Sequence, residues 1–532
     1  MHSQAGLIAS KPADSRVAEQ AEGLRSWNLV AVIAVAAVAL IIRFWNFGSL
    51  GFAHWDEFYF LSDAHTVAQH WPAGFRTIGW VTAPLVAYTD GTLFHFFGVN
   101  NWMPLAVSAA YGTLSAVVLY LLGSQLFGRA VGLVAAAVLA TAEFSVMYSR
   151  MALADATFDF WIITSILFVW LGFSRRQARY YVLAGLTTGV LINTKYTGAF
   201  PLLLAGAWLA GEVLLDAVWR RRPLGTIAQD YRVPFFGTLV MFALAIAMFL
   251  PFLAKIAAYP GLGTVLSHNS SFGASSLIKT SPIFIGWYYW FFTSPPTLLL
   301  ALAGIAVGIR RFTLADRFLL IYTAGWFAAL MLFPPYPREA LSLLPAVAIW
   351  AGRATVEAWK LVSSFRPIPL APAAVALCLG AVLVGQAIPL SHLLWLRTQG
   401  YADAGAVAAR YQSGGDRIWT RTQAVASLYL HDEYFLDASP VVRNLLSEPV
   451  TNVVFMTDQT LGWYPKIDEL FRLNRDRLQV IDKVANPLND EVLLQPATED
   501  RFAHLGDPPD AYRYITFWRA TAPLAFPSDW PS

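Results

Sequence analysis

The stretch that decides the fold reads Arg43-Phe-Trp-Asn-Phe-Gly-Ser-Leu-Gly-Phe-Ala-His-Trp-Asp56-Glu57-Phe-Tyr-Phe60. It follows the first long apolar segment and places two adjacent carboxylates, Asp56 and Glu57, at the edge of that segment. The tryptophan and tyrosine residues around this pair are of the kind that settle at the level of lipid headgroups. Because charge is costly inside a bilayer, a pair at its rim indicates chemistry at the membrane surface. The alternative is a solvated loop with two incidental acids.

The composition predicts a polytopic integral membrane protein. Of the 532 residues, 57% are hydrophobic and only 13% are charged, whereas soluble domains carry roughly a quarter charged residues. The single cysteine, Cys378, excludes an intrachain disulfide and a cysteine-based metal site. Residues 1–26 are polar and do not resemble a signal peptide, so we expect the first apolar segment to be an uncleaved anchor.

Apolar segments recur along the chain at the length that a bilayer core requires. We predict about eleven membrane-spanning helices, near 27–44, 103–123, 130–147, 157–173, 180–194, 196–215, 234–254, 283–307, 316–333, 339–353 and 371–391. The loops between these segments alternate in their content of basic residues. One set holds Lys11, Arg16, Arg25, Arg129, Arg175, Arg176, Arg179, Arg220, Arg221, Arg222, Arg232, Arg310, Arg311, Arg317, Arg353, Lys360 and Arg366. The other set, up to the last span, holds only Arg43, Arg76, Arg150, Lys195, Lys255, Lys279 and Arg338.

This asymmetry predicts the orientation, because short loops rich in basic residues are retained in the cytoplasm. The N-terminal tail at 1–26 is then cytoplasmic, and the long first outer loop at 45–102 faces outward together with Asp56 and Glu57. Two helices in that loop are expected to lie in the membrane interface. The region 27–395 is predicted to form one transmembrane domain.

The composition changes at about residue 396, where short β-rich runs begin to alternate with helical ones. This alternation predicts a small soluble extracytoplasmic α/β domain at 396–532. The domain contains no glycine-rich nucleotide-binding motif. The expected fold class is therefore an all-α polytopic membrane protein with a C-terminal α/β domain.

Ionisable residues are nearly absent from the central parts of the predicted spans. A proton- or ion-coupled transporter usually keeps charged groups near the midplane. Here the outward-facing charged groups are expected at one depth: Arg43, Asp56, Glu57, Arg150, Asp155, Lys195 and Arg338. Such an arrangement is typical of a surface site reached from both lipid and water, and it disfavours a conduction path.

The two kinds of charge have complementary uses. A carboxylate can act as a general base on a hydroxyl nucleophile, and arginine or lysine can bind a phosphate and stabilise it as it leaves. Glycosyl transfer from a lipid-linked sugar phosphate needs both. Structural alternatives remain open: Arg43 and Arg338 also fit snorkelling at helix ends. Lys195 also fits a plain helix-end lysine, and Asp155 fits a helix N-cap.

Three histidines near the acidic pair, His54, His65 and His70, raise the question of a metal. Their spacing does not place three ligands on one helical face. A divalent metal is therefore possible but not indicated, and we expect no metal site.

The stretch Arg43 to Phe60 resembles the first-loop motif of GT-C glycosyltransferases of the protein O-mannosyltransferase and aminoarabinose (lipid A) transferase type. In that motif an arginine and aromatic residues end the first helix, and an acidic pair follows a short glycine-containing link. Further stretches that resemble the same family are Ala83-Pro-Leu to Gly98-Val with Leu126-Phe-Gly128, Tyr148-Ser-Arg150-Met-Ala-Leu-Ala-Asp155, Asn193-Thr-Lys195-Tyr196, and Pro337-Arg338 through Leu344-Pro345. The sequence departs from the pattern at His-Trp before the acidic pair and at Tyr196, where bacterial relatives commonly have glycine.

The resemblance implies a GT-C-like catalytic domain that transfers a sugar, with inversion, from a polyprenyl phosphate to an extracytoplasmic glycan, lipid or protein. By the same resemblance Asp56 would be the base, supported by Glu57 and Asp155. The donor phosphate would be bound by Lys195, Arg150, Arg338, Arg43 and Tyr336. Such enzymes use no nucleotide sugar directly, so the expected partners are the donor, the acceptor and membrane lipid, without a cofactor or a nucleic acid.

Two other classes of function remain open from the sequence. One is a transporter or flippase of lipid-linked sugars, and the other is a catalytically inactive scaffold. The expected location is a bacterial plasma membrane, with the N-terminus in the cytoplasm and the C-terminal domain outside.

Overall fold

A computed structural model of the chain describes residues 27–49, 57–76, 83–100, 102–258, 294–331, 337–364, 370–395, 400–420, 434–435, 442–443, 446, 452–457, 465–485 and 514–530. Helices dominate these residues, and a small sheet follows near the C-terminus. Helices α1 to α7 cover, in order, Trp27–Phe44, Glu57–Gln69, Pro84–Phe97, Trp102–Phe127, Arg129–Thr141, Glu143–Tyr148 and Ala154–Arg175. Helices α8 to α14 cover Ala178–Ile192, Phe200–Leu214, Leu224–Ala258, Pro295–Arg311, Leu314–Leu330, Leu344–Ser364 and Leu370–Trp395.

Every predicted span overlaps a helix of the described residues. Within the described residues, four helical stretches are both long and apolar enough to cross a membrane: Trp102–Phe127, Ala154–Arg175, Tyr196–Trp219 and Leu224–Ala258. Shorter apolar helical stretches are Leu29–Phe44, Arg129–Thr141, Ala178–Ile192 and Gly380–Trp395. The membrane-embedded character is therefore supported by helix length and composition, while the count of eleven spans stays a prediction.

Close packing of α4 and α5 depends on two glycines that face each other. A Cβ added at Gly123 would lie 2.9 Å from the Cα of Gly132, closer than real Cβ contacts. Small residues at such crossings let helix backbones approach, which is a common basis of helix association in membranes. Helix α7 lies deeper in the bundle, and its buried side chains, including Phe158, Ile162 and Trp170, belong to the main hydrophobic core.

Near the C-terminal end of α9, a buried ion pair joins this helix to α12. The Nε of Arg317 donates to Glu212 Oε1 at 2.6 Å, and its Nη2 donates to Glu212 Oε2 at 2.7 Å. Removing one partner of a buried pair leaves the other charge uncompensated.

We therefore expect Glu212→Gln to lower the free energy of unfolding by about 3 kcal/mol or more. Thermal unfolding of the detergent-solubilised protein measures this as a lower midpoint. Asp468→Asn is the matched control, because it removes one acid from a solvent-exposed pair with Arg472 and such pairs contribute little. An equal shift of the unfolding midpoint for the two variants would contradict the stabilising role of the Glu212–Arg317 pair.

The C-terminal region forms a five-stranded mixed sheet in the order β2-β1-β3-β5-β4. The strands β1 to β5 are Arg417–Thr420, Tyr434–Phe435, Val453–Thr457, Leu478–Ala485 and Tyr514–Ala520. Strand β1 pairs in parallel with β2 and β3, and β5 pairs antiparallel with β3 and β4. Helices α15 (Gly400–Ser413) and α16 (Pro465–Leu473) accompany the sheet. A C-terminal region that mixes helices and strands agrees with the sequence prediction, while its boundary at 396 lies outside the described residues.

The first outer loop and the C-terminal region share one hydrophobic cluster. It contains Leu61 of α2 and Phe94 of α3 together with Ile418, Val454 and Phe517 of the sheet region. The end of α14 also reaches the start of the loop, where the rings of Trp45 and Trp395 lie 6.0 Å apart in an edge-on arrangement. The loop that carries the acidic pair is thus packed against the C-terminal half of the chain.

The predicted orientation is testable with single cysteines in a Cys378→Ser background. Ser413→Cys, at the exposed end of α15, should react with an impermeant thiol reagent on intact cells or spheroplasts. Ser363→Cys, exposed near the end of α13, is the matched inner-side control and should react only after lysis. Reversed labelling of the two positions would overturn the orientation.

Candidate active site

The segment between α6 and α7 contacts the first outer loop before residues 50–56 and again at Glu57, directly after them. The backbone N–H of Ala152 donates to Glu57 Oε1 at 2.6 Å. The Nη2 of Arg150 donates to the carbonyl of Asn46 at 3.0 Å and to Ser49 Oγ at 3.1 Å. Asp56 lies outside the described residues, but it is the covalent neighbour of Glu57. One short segment therefore anchors the chain just before and just after residues 50–56.

Arg43, predicted as a phosphate ligand, is fully buried inside the bundle. Its guanidinium donates to Ser145 Oγ at 2.9 Å and to the carbonyls of Ala140 at 3.2 Å and Leu139 at 3.5 Å. These carbonyls end α5, where Ala142 adopts an extended conformation and intrahelical donors run out. Arg43 thus stabilises the break from which the Arg150 segment follows. Its assignment to phosphate stays a prediction that this geometry does not favour.

Only glycine fits at position 112 of α4, facing this arginine. A Cβ there would lie 2.7 Å from Arg43 Nε. The close approach of α4 presses on Arg43 and on the end of α6, so the backbone before Arg150 has little freedom. This packing fixes the direction in which the segment leaves α6.

Lys195 brings together two acids from distant parts of the chain. Its Nζ lies 2.6 Å from Asp155 Oδ1 and 3.2 Å from Glu339 Oε1. Lys195 follows the C-terminal end of α8, Asp155 is in the first turn of α7, and Glu339 is in the helical turn Pro337–Ala340. The N-cap residue of α7 is Leu153, which makes no side-chain cap. Asp155 is therefore a partner of Lys195 rather than the N-cap of this helix.

The charges of this cluster reinforce one another. Burial lowers the pKa of Lys195, but the Asp155 and Glu339 carboxylates outweigh it, so the pKa is raised overall. Burial raises the pKa of Glu339, but Lys195 and Arg338 outweigh it, so that pKa is lowered overall. Both groups are consequently charged at neutral pH.

Two acids of this neighbourhood are absent from the predicted set. Glu339 follows directly after Arg338 in the sequence. Its position beside a predicted phosphate-binding cation could have identified it as a site residue. Asp159 lies one helical turn after Asp155, is buried, and interacts electrostatically with Asp155, Arg43 and Lys195. Its spacing of four residues from Asp155 placed both on one face of α7.

Arg150 combines burial with unused hydrogen-bond donors. Its side chain is buried, and its Nε and Nη1 have no hydrogen-bond partner among the described residues. Burial lowers the pKa of Arg150 to about 10, which still leaves it charged at neutral pH. Burial likewise lowers the pKa of Arg338, with Glu339 opposing the shift. The Arg150 guanidinium, with two donors that no described residue uses, is suited to bind an anion.

The remaining predicted groups are placed as follows. Tyr336 and His54 lie outside the described residues. His65 contacts Gln69, and His70 contacts the carbonyl of Thr66. Within the described part of the chain, no three histidine, cysteine, aspartate or glutamate side chains are grouped so that they could hold a metal ion.

The sequence and the fold are similar to those of known proteins. Residues 81–253 match the family model described as dolichyl-phosphate-mannose-protein mannosyltransferase. The Archaeoglobus fulgidus oligosaccharyltransferase in the apo form is similar at 13% identity over 82% of this chain and 70% of that chain, with a TM-score of 0.59. ArnT from Cupriavidus metallidurans, bound to undecaprenyl phosphate, is similar at 15% identity over 92% of this chain and 97% of that chain, with a TM-score of 0.54.

A further solved structure, the archaeal oligosaccharyltransferase AglB from Archaeoglobus fulgidus in complex with an inhibitory peptide and a dolichol-phosphate, has 14% identity and a TM-score of 0.58. The similarity extends over 82% of the present chain and 70% of AglB. No curated protein matches the sequence. The chain has the GT-C glycosyltransferase fold, and the resemblance drawn from its motifs is confirmed at that level. The matched family segment contains Arg150, Asp155 and Lys195.

Proposed function

We propose that this chain is a membrane glycosyltransferase that moves a sugar, with inversion, from a polyprenyl-phosphate-linked donor to an acceptor outside the cytoplasm. The observation that carries the proposal is the junction at one end of the bundle. There the Arg150–Ala152 segment binds both flanks of residues 50–56, Asn46 and Ser49 on one side and Glu57 on the other. It leads directly into Asp155, the partner of Lys195.

The class of donor is supported by the fold and by the available cations. Structural relatives have been solved with undecaprenyl phosphate and with a dolichol-phosphate. In this chain, Arg150 offers buried N–H donors that no described residue uses. We assign Arg150 and Arg338 as the main phosphate ligands, because arginine binds phosphate oxygens through several donors at once.

Lys195 has two roles in this proposal, whereas the two arginines have one. With Asp155 and Glu339 ionised, the three side chains carry one net negative charge, which does not attract a phosphate by itself. Lys195 keeps that negative charge small and offers one ammonium to share with the donor. It therefore contributes to donor binding partly by compensating the two acids.

The reaction itself needs one base and one leaving-group site. In the proposed step, Asp56 accepts the proton of the acceptor hydroxyl, whose oxygen forms a bond to the anomeric carbon. The bond from that carbon to the phosphate oxygen breaks with its electron pair, and polyprenyl phosphate leaves against the cations. Attack opposite the leaving group inverts the anomeric centre, as in inverting glycosidases. Glu57 is engaged by the Ala152 N–H, so we assign it a role in positioning Asp56.

The donor sugar and the acceptor are testable with membranes that contain the protein and a panel of radiolabelled polyprenyl-phosphate sugars. We expect one donor to lose its label to an acceptor when the wild-type protein is present. The transporter alternative predicts that the lipid-linked sugar crosses the membrane of proteoliposomes intact. Movement without a new glycosidic bond, for every donor of the panel, would place that alternative ahead.

A further inference from the structure

A carboxylate in the first outer loop takes no part in the site described above. Asp90 is in the middle of α3, and only 1% of the residue is exposed. Its Oδ1 has no hydrogen-bond partner among the described residues. A buried ionised carboxylate is strongly destabilised unless a cation or several donors compensate it.

The surroundings of Asp90 are aromatic rather than cationic. Tyr111 of α4 interacts electrostatically with Asp90, and its ring lies 5.4 Å from that of Phe160 and 6.5 Å from that of Trp161, both on α7. The rings of Tyr111, Phe160 and Trp161 form an aromatic cluster of α4 and α7, called the aromatic wall below, in which Tyr111 is the member that interacts with Asp90. None of the three side chains carries a positive charge.

The other titratable groups on the neighbouring elements are engaged elsewhere. On α2, Asp63 interacts with Lys255, while the nearby His65 and His70 contact Gln69 and the carbonyl of Thr66. On α3 itself, His95 contacts the carbonyl of Ala68. On α7, Asp155 is bound to Lys195 and Asp159 interacts with the same cluster. Within the described part of the chain, none of these groups supplies a cation to Asp90.

Helix α3 touches both sides of the proposed site. At its N-terminal end, the N–H of Leu85 donates to the carbonyl of Asn193 at 2.8 Å, two residues before Lys195. In its middle, Gly91 packs so closely on α2 that an added Cβ would lie 2.6 Å from the carbonyl oxygen of Ala64. Helix α2 begins at Glu57. A change in the seating of α3 is therefore transmitted to both Lys195 and Glu57.

We propose that proton binding at Asp90 controls the docking of α3 against α4, and through it the placement of the Lys195 loop. With the proton bound, the neutral carboxyl is tolerated next to the aromatic wall and α3 stays seated. With the proton lost, the uncompensated charge drives the middle of α3 away from the wall and loosens the contact between Leu85 and Asn193. The effect on sugar transfer rests on the proposed function, whereas the docking itself does not.

The direction of the pH effect follows from burial. Burial raises the pKa of Asp90 from the ordinary value of 3.8 to about 7. Between about pH 4 and pH 7 the unfolded chain has lost this proton and the folded chain keeps it, so stability falls as the pH rises through this window. Above about pH 7 the folded state ionises too, and α3 becomes free to leave the wall.

Cross-linking of the full-length protein tests the docking without an activity assay. Leu85→Cys and Asn193→Cys, in a Cys378→Ser background, leave the backbone contact intact and report on its closeness by disulfide formation. The measured quantity is the cross-linked fraction with Asp90 divided by the fraction in the Asp90→Asn background at the same pH. We expect this ratio to fall several-fold between pH 6 and pH 8.5. Comparison at equal pH cancels the intrinsic pH dependence of thiol oxidation. Asp90→Leu is a second neutral background in case Asp90→Asn does not fold, and it should behave in the same way.

An identical pH dependence in the Asp90 and neutral backgrounds would overturn the proposal. Single-turnover sugar transfer provides the second readout: it should decline above about pH 7 with Asp90 and decline less in Asp90→Asn. A transfer rate with the same pH profile in both proteins would remove the link to the site. A wild-type protein that forms no product at any pH, while its cross-linking still follows Asp90, would count against the proposed function alone.

Discussion

Replacing Asp56 by asparagine should slow sugar transfer by a factor on the order of 100 to 10,000, the usual contribution of a general base. Asparagine keeps the shape of the side chain but cannot accept the proton of the acceptor hydroxyl. Donor binding should change little, because the phosphate is assigned to the cationic side chains. Single-turnover transfer and donor binding, measured on the same preparations, separate these two effects.

A matched control for this substitution is Asp63→Asn. Asp63 is a second acid of the first outer loop, and it interacts with Lys255. We expect transfer within a few-fold of wild type for this variant. If Asp56→Asn transferred sugar as fast as wild type, the assignment of Asp56 as the base would be wrong.

Replacing Lys195 by methionine should weaken binding of polyprenyl phosphate by about 10- to 100-fold, the range of a charge-assisted hydrogen bond. Methionine keeps much of the length and the apolar stem but removes the ammonium. The two acids at 2.6 and 3.2 Å from Nζ then lose their common partner. Direct binding of polyprenyl phosphate measures the effect, and Lys255→Met, on the same predicted face, should leave binding unchanged.

A second variant separates the two contributions of Lys195. Asp155→Asn and Glu339→Gln, added to Lys195→Met, remove the unpaired negative charges and should restore thermal stability. Donor binding should recover only in part, because the ammonium that the phosphate shares is still missing. Complete recovery of binding would mean that Lys195 only compensates the acids and does not contact the donor.

Helices were the most predictable part of this structure. Apolar segments of bilayer length appear as helices because a chain in lipid must satisfy its backbone hydrogen bonds locally. The predicted span near 130–147 departs from this pattern. It divides at Ala142, whose extended conformation ends α5 and starts α6. The length of an apolar run does not reveal such a break, and here it is stabilised by Arg43 from another helix.

The candidate site was predictable in its residue types but not in its pairings. Lys195 and Asp155 were assigned to opposite sides of the reaction, yet they form an ion pair, and Lys195 forms a second one with Glu339. The bond between Glu57 and the Ala152 N–H joins residues far apart in sequence. Long-range contacts of this kind depend on how helices pack, which a single sequence does not specify.

Arg43 illustrates the limit of motif-based assignment. Its place among the predicted outward-facing charges and the family resemblance favoured a phosphate ligand. A sequence gives no depth, however, and the guanidinium hydrogen-bonds inside the bundle. Asp90 illustrates the opposite case. An acid inside the otherwise apolar segment Pro84 to Val99 was visible from the sequence. Its burial, with no partner for Oδ1 among the residues that the structure describes, emerged only from the packing of α3.

The most direct test of the proposed function is a single-turnover reaction of the purified wild-type protein with a polyprenyl-phosphate sugar and an acceptor. Free polyprenyl phosphate and the new glycosidic bond are counted together, and the anomeric configuration of the product is determined. We predict one molecule of polyprenyl phosphate released for each bond formed, with the anomeric configuration inverted relative to the donor. A donor that remains intact with every sugar, or a product of retained configuration, would contradict the proposal.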